Sequence, residues 1–190
     1  MVVFEDDIKR CTHVLEQGGV ILYPTDTIWG LGCDALNNEA VEKVFSIKQR
    51  QDNKSLIVLL ADAKDILQYV AAPHPDIIDI VNSFDRPTTV VYDNALGFPD
   101  NVVHEDGSIG IRVTNDAFCK ALIKRLGKPI VSTSANISGT PSALFYAQVS
   151  DEIKNAANYT VQYRQDDRTP AQPSRIVKIN DDGSLHIIRG

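Results

Sequence analysis

The chain has 190 residues, 43% of them hydrophobic and 23% charged, an ordinary globular composition with room for one domain and too little for two. Nineteen lysines and arginines against 25 acidic residues leave a formal charge of −6. That balance excludes a broadly basic nucleic-acid coat while leaving room for a local cationic pocket.

In chain order, Ile8, Cys11 and Leu15 share one face of a helix over Asp6–Gln17, which Gly18-Gly19 closes. Val20–Tyr23 reads as a buried strand stopped by Pro24. Asn37-Asn38 offers helix caps, with Glu39 in the first turn and an apolar stripe of Val41, Val44 and Phe45 behind it. Leu56–Leu60 is a second buried strand, followed by short helices over Ala63–Val70 and Pro75–Ser83. Strands are predicted at Thr88–Tyr92, Ile109–Val113 and Pro129–Ser132, and helices at Asp116–Leu126 and Leu144–Ala157. Three β-like runs end the chain, Tyr159–Tyr163, Arg175–Ile179 and Leu185–Ile188, the last two joined by an Asp-Asp-Gly turn. Early alternation of helix and strand with strands clustered late predicts an α/β fold on a twisted mixed sheet, one domain over residues 1–190.

Several segments carry polar chemistry at strand ends. Tyr23–Gly32 runs from a strand into two threonines flanking Asp26 and then two glycines, either an ordinary turn or a ligand-facing loop. Lys48 continues the inward stripe of its helix, a position a solvated lysine avoids, and Arg50 and Lys54 follow just beyond. Three cations converging there suit a polyphosphate, although cations also favour helix C-termini for their own sake. Pro129–Ser142 packs four serines, two threonines and Asn136 into the stretch that leaves a strand, a lining suited to anionic oxygens. Ser108, Arg112, Ser174 and Arg189 are further candidates, each also readable as a surface residue.

Other chemistries are missing from the sequence. Cys11, Cys33 and Cys119 are far apart with no CxxC pair, which points to reduced thiols in a cytoplasmic protein. The four histidines have no zinc spacing, and there is no GxSxG, P-loop or GxGxxG pattern. No apolar run approaches the ~20 residues of a membrane span, and the N-terminus is acidic where a signal peptide is basic. Cations and hydroxyls without an evident nucleophile suit catalysis by positioning and charge neutralisation, as in phosphoryl or nucleotidyl transfer.

Taken in order, Pro24-Thr-Asp-Thr-Ile-Trp-Gly-Leu-Gly32, Lys48-x-Arg50, Gly110-Ile-Arg112-Val113, Ser132-Thr-Ser-Ala-Asn136-Ile-Ser-Gly139 and Pro173-Ser174 resemble the YrdC-like family. The likeness covers nearly the whole chain, in the family's short form, and the synthase members of that family are L-threonylcarbamoyladenylate synthases. It implies an α/β sheet curled around a cationic cavity, and conversion of L-threonine, bicarbonate and ATP to threonylcarbamoyl-AMP and pyrophosphate, with Mg²⁺. The product would pass to a tRNA threonylcarbamoyl transferase complex that modifies the adenosine beside the anticodon. By motif position, Thr27, Arg112, Ser132 and Ser174 would hold threonine, and Arg50, Lys54, Ser108, Ser134, Ser142 and Arg189 would line the ATP site. Lys48, Arg50 and Asn136 would be the catalytic set. The chain departs from the family pattern at Trp29, Gln51, Leu59, Asp85-Arg86 and Thr114. The alternatives are a non-catalytic module of the same fold that contacts tRNA or double-stranded RNA, a family branch without synthase activity, and a carbamoyl-adenylate-handling domain like that of hydrogenase maturation proteins. Retention of Lys48 and Asn136 favours the synthase.

Overall fold

The computed structural model describes residues 3–49 and 56–190. Helix α1 (Glu5–Glu16) buries Ile8, Cys11 and Leu15, and it ends as its glycines predict. Gly18 N–H donates to the Leu15 carbonyl at 3.0 Å and Gly19 N–H to the Val14 carbonyl at 2.9 Å, a paired closure that Gly18 permits by taking φ +68°. Strand β1 (Ile21–Tyr23) turns through residues 24–29 into β2 (Gly30–Gly32), and α2 (Asn38–Lys48) follows, capped by Asn37 Oδ1 on Ala40 N at 3.1 Å. Then come β3 (Ile57–Leu60), a 3₁₀ turn leading into α3 (Ile66–Tyr69), and α4 (Ile77–Asn82). Strands β4 (Thr88–Tyr92) and β5 (Ile109–Val113) precede α5 (Ala117–Leu126), which Asp116 caps through Cys119 N at 2.9 Å. The chain ends with β6 (Ile130–Ser134), α6 (Asp151–Ala156), β7 (Tyr159–Thr160), β8 (Arg175–Ile179) and β9 (Leu185–Arg189).

Among the described residues these strands form one mixed sheet in the order β7-β1-β2-β6-β3-β5-β4-β8-β9. The β1–β7, β3–β5 and β4–β8 pairs are parallel and the remaining neighbours antiparallel, the mixed α/β sheet that the sequence predicts. All three cysteines are buried free thiols, and burial pushes each thiol well above its ordinary pKa, so they are protonated and unreactive at neutral pH. Among the described residues no helix is long and apolar enough to cross a membrane.

Three elements differ from expectation. The helix expected over 144–157 is a 3₁₀ turn at Tyr146–Gln148 followed by α6, because Val149 is extended and Ser150 caps Ile153 N at 3.4 Å. The strand expected over 159–163 stops at Thr160, because the Asp7 carboxylate takes the N–H groups of Gln162 and Tyr163, each at 3.0 Å. Strand β2 falls on Gly-Leu-Gly, a composition poor in strand propensity. It is extended there because the fully buried Tyr23 ring lies across it and reaches the Val131 carbonyl at 3.3 Å.

That packing leaves no room for a side chain. A Cβ on Gly32 would stand 2.6 Å from Tyr23 Cε1 and 2.8 Å from the Val131 carbonyl oxygen. Gly32→Ala is therefore expected to lower the unfolding free energy by about 2–3 kcal/mol. A urea titration reads this as a lower midpoint at unchanged slope, and an unmoved midpoint would contradict the packing.

Candidate functional site

Side chains alternate along a strand, and directly paired residues share a face of the sheet. The register therefore collects polar positions from distant parts of the chain on one surface. Gly30 pairs with Ser134, and Ile57 pairs with both Ser132 and Gly110. Arg112 follows Gly110 by two residues, and Ile176 pairs with Thr89 on one side and Arg189 on the other. Ser174, two residues before Ile176, meets Thr89 hydroxyl to hydroxyl at 2.9 Å.

On this face lies a cavity of about 210 Å³. Its walls include Thr27, Arg112, Ser132, Ser134, Ser142, Ser174 and Arg189, with Trp29, Gly30 and Pro173 beside them. Seven of the residues expected in the site thus meet in one place. A second cavity of about 360 Å³ adjoins it, sharing Thr27, Trp29 and Pro173.

Arg112 is 3% exposed, a buried cation that needs compensation. Asp26 supplies it, Oδ1 lying 3.1 Å from Arg112 Nη2. The contact is a charge pair without directed hydrogen-bond geometry: neither Asp26 Oδ1 nor Arg112 Nε has a hydrogen-bond partner among the described residues. Arg112 thus lines the cavity with its Nε buried and unpaired. Arg189, at the far end, donates from Nη2 to the Ser174 carbonyl at 2.9 Å.

The loop that carries Thr27 is organised by Thr25. Its hydroxyl accepts from Thr27 N at 3.0 Å, donates to the Ile28 carbonyl at 2.8 Å and lies 3.0 Å from Thr27 Oγ1. Trp29 is buried at 5% exposure and packs on Tyr146, ring centroids 4.9 Å apart.

Lys48 lies behind the cavity wall. Its ammonium, 2% exposed, donates to the carbonyls of Ser134 at 2.5 Å and Asn136 at 2.7 Å. The Asn136 amide in turn donates to Ile137 O at 3.1 Å and Thr140 O at 2.6 Å. Lys48 and Asn136 therefore shape the loop that leaves β6, and neither lines the cavity. Ser108 lies just before β5, two residues before Gly110, outside the cavity lining. Its backbone N–H and hydroxyl engage Asp106, holding that exposed carboxyl below the usual range. Arg50 and Lys54, with Gln51, fall outside the described residues. Leu59 is fully buried opposite Arg112.

Asp26, Thr25 and Thr89 are parts of the site that sequence reasoning did not assign. Asp26 lies in a polar turn, but the tertiary contact that brings it to Arg112 has no local signature. Among the described residues no three His, Cys, Asp or Glu side chains are grouped as metal ligands. The hydroxyl lining does fit a magnesium ion carried on a nucleotide's phosphates, since magnesium takes oxygen ligands and keeps several waters.

A profile of the Sua5/YciO/YrdC family, described as "Telomere recombination", matches residues 13–190. A threonylcarbamoyl-AMP synthase of Pseudoalteromonas translucida is 38% identical over 175 residues, 90% of this chain and 92% of that protein. The fold is shared with E. coli YciO, at TM-score 0.81 and 21% identity over 97% of this chain and 88% of that one. It is shared also with P. abyssi Sua5 complexed with L-threonine, at TM-score 0.81 and 22% identity over 92% of this chain and 51% of that one. The chain belongs to the Sua5/YciO/YrdC family.

Lys48→Met keeps much of the volume but leaves two backbone carbonyls without their donor. It is expected to cost about 2–4 kcal/mol of stability. Chemical denaturation checks this, and a loss below about 0.5 kcal/mol, the range of an ordinary surface substitution, would contradict the structural role of the ammonium.

Proposed function

We propose that the chain is an L-threonylcarbamoyladenylate synthase. The observation that carries this reading is the meeting of Thr27, Arg112, Ser132 and Ser174 with Ser134, Ser142 and Arg189 around one cavity, although they come from opposite ends of the chain. The relatives named threonylcarbamoyl-AMP synthase support it over the RNA-binding module.

In this reading the threonine amine and bicarbonate condense to a carbamate with loss of water. The carbamate oxygen then attacks the α-phosphorus of ATP, the bond to the β-phosphate oxygen breaks, and pyrophosphate leaves. Arg112, oriented by Asp26, offers its guanidinium charge to the threonine carboxylate, while the hydroxyls of Thr27, Ser132 and Ser174 fix the amino acid. Ser134, Ser142 and Arg189 face the nucleotide, with Ser108 just before β5 on the approach to it. Arg50 and Lys54 supply cations for charge building on the phosphates. Lys48 and Asn136 serve by holding the end of β6, with Ser134, and the loop that follows it. Mg²⁺ would be held by the phosphates together with the Ser134 and Ser142 hydroxyls, and when bound it neutralises phosphate charge. The adenylate would then be handed to a tRNA threonylcarbamoyl transferase complex in the cytoplasm.

Pyrophosphate release from ATP and Mg²⁺ should require both L-threonine and bicarbonate. Arg112→Gln should lower release at subsaturating threonine by about a hundredfold, the loss of one charged hydrogen-bonding partner. Arg50→Ala should abolish release while the fold stays intact. Release that ignores threonine, or no release by the unsubstituted chain, would refute the reading.

A further inference from the structure

The loop holding Thr27 is gripped from two sides. Asp26 reaches Arg112 on one side. On the other, Arg164 donates from Nη2 to the Thr25 carbonyl at 3.0 Å, and its Nη1 pairs with Asp116 Oδ2 at 2.9 Å. Arg164 lies 139 residues further along the chain than Thr25, in a polar stretch with no periodicity.

Its delivery is rigid. The Asp7 carboxylate accepts from Tyr159 Oη and from the N–H groups of Gln162 and Tyr163. The Tyr163 ring packs on Phe4 and Phe118, with centroids 5.0 Å and 6.0 Å away. Arg164 itself takes φ +64°, in the left-handed region where side-chain-bearing residues are uncommon. A strained backbone is held so that this guanidinium points back at the loop.

Other interactions already secure the elements that Arg164 touches. Asp116 caps α5 through Cys119 N without it, and Asp7 fixes the turn without it. What Arg164 adds is an anchor on the Thr25 carbonyl. The Thr25 hydroxyl organises Thr27 and Ile28, so the orientation of that one peptide sets where the Thr27 hydroxyl stands.

We propose that Arg164 is a positioning residue for the amino-acid half of the site, locking the Thr25–Thr27 loop in its binding geometry. The inference rests on the reading of Thr27 as a threonine contact. Mispositioning by about 1 Å is enough to impair an active site severely. Lysine is a poor substitute, since a point charge cannot span two acceptors as a planar fork does.

Arg164→Gly separates the guanidinium from the backbone, because glycine adopts φ +64° without strain. In calorimetric titrations this variant should bind L-threonine about tenfold more weakly, the loss of a contact made through a single carbonyl. Its KM for ATP in pyrophosphate release should stay within twofold, and Arg164→Lys should recover part of the threonine affinity. Trp29, the single tryptophan, gives a readout without ligand: acrylamide should quench it more readily in Arg164→Gly as the loop loosens. Unchanged threonine affinity would overturn the proposal. So would parallel losses for threonine and ATP with a collapsed melting temperature, the mark of general destabilisation. Failure of the unsubstituted chain to bind threonine would overturn the functional reading and this proposal with it, and it is told apart by needing no variant.

Discussion

A buried ammonium is the contact on which the site rests. Removing a lysine head group from water costs several kcal/mol unless acceptors surround it. The carbonyls of Ser134 and Asn136 do so for Lys48, and the Lys48 carbonyl itself accepts from Ser138 N at 2.9 Å. Helix α2 is thereby tied at both ends of one residue to the loop leaving β6. The tie fixes the end of β6, where Ser134 lines the cavity, and the loop leads on to Ser142.

Around this tie the sheet supplies the rest by alternation. Residues two apart on a strand face the same way, so β6 contributes Ser132 and Ser134 and β5 contributes Gly110 and Arg112. Glycine at position 30 keeps the floor open, since a Cβ there would approach the Thr133 carbonyl to 3.1 Å. Two charge pairs, Arg112 with Asp26 and Arg164 with Asp116, bracket the Thr25–Thr27 loop from β5 and the start of α5. The geometry at Thr27 thus depends on side chains that lie 85 to 137 residues further along the chain.

Much of this could be read in the sequence where the signal is local. Helices α1, α2 and α5 follow from their apolar spacing and from Asn37, Asp116 and the terminal glycines. The inward position of Lys48 was legible from the stripe of Val41, Val44 and Phe45. Strand β2 was not, because glycine hides strand propensity and its reason is the ring of Tyr23 on a neighbouring strand. The helix expected over 144–157 failed because an apolar period does not reveal where Ser150 caps. The partnership of Asp26 with Arg112 and the reach of Arg164 to Thr25 depend on tertiary register, which no local pattern encodes. The candidate site residues are legible as a set because their order along the chain matches a family, and the cavity they line together gives that set a physical basis.

The chemistry assigned to the cavity turns on what joins the nucleotide. With ¹³C-bicarbonate, L-threonine and ATP, carbon NMR and mass spectrometry of the nucleotide product identify the bond formed. A carbamate mechanism predicts one labelled carbon between the threonine nitrogen and the AMP phosphate, appearing in step with pyrophosphate. An unlabelled threonyl adenylate, or pyrophosphate with no adenylate at all, would contradict it.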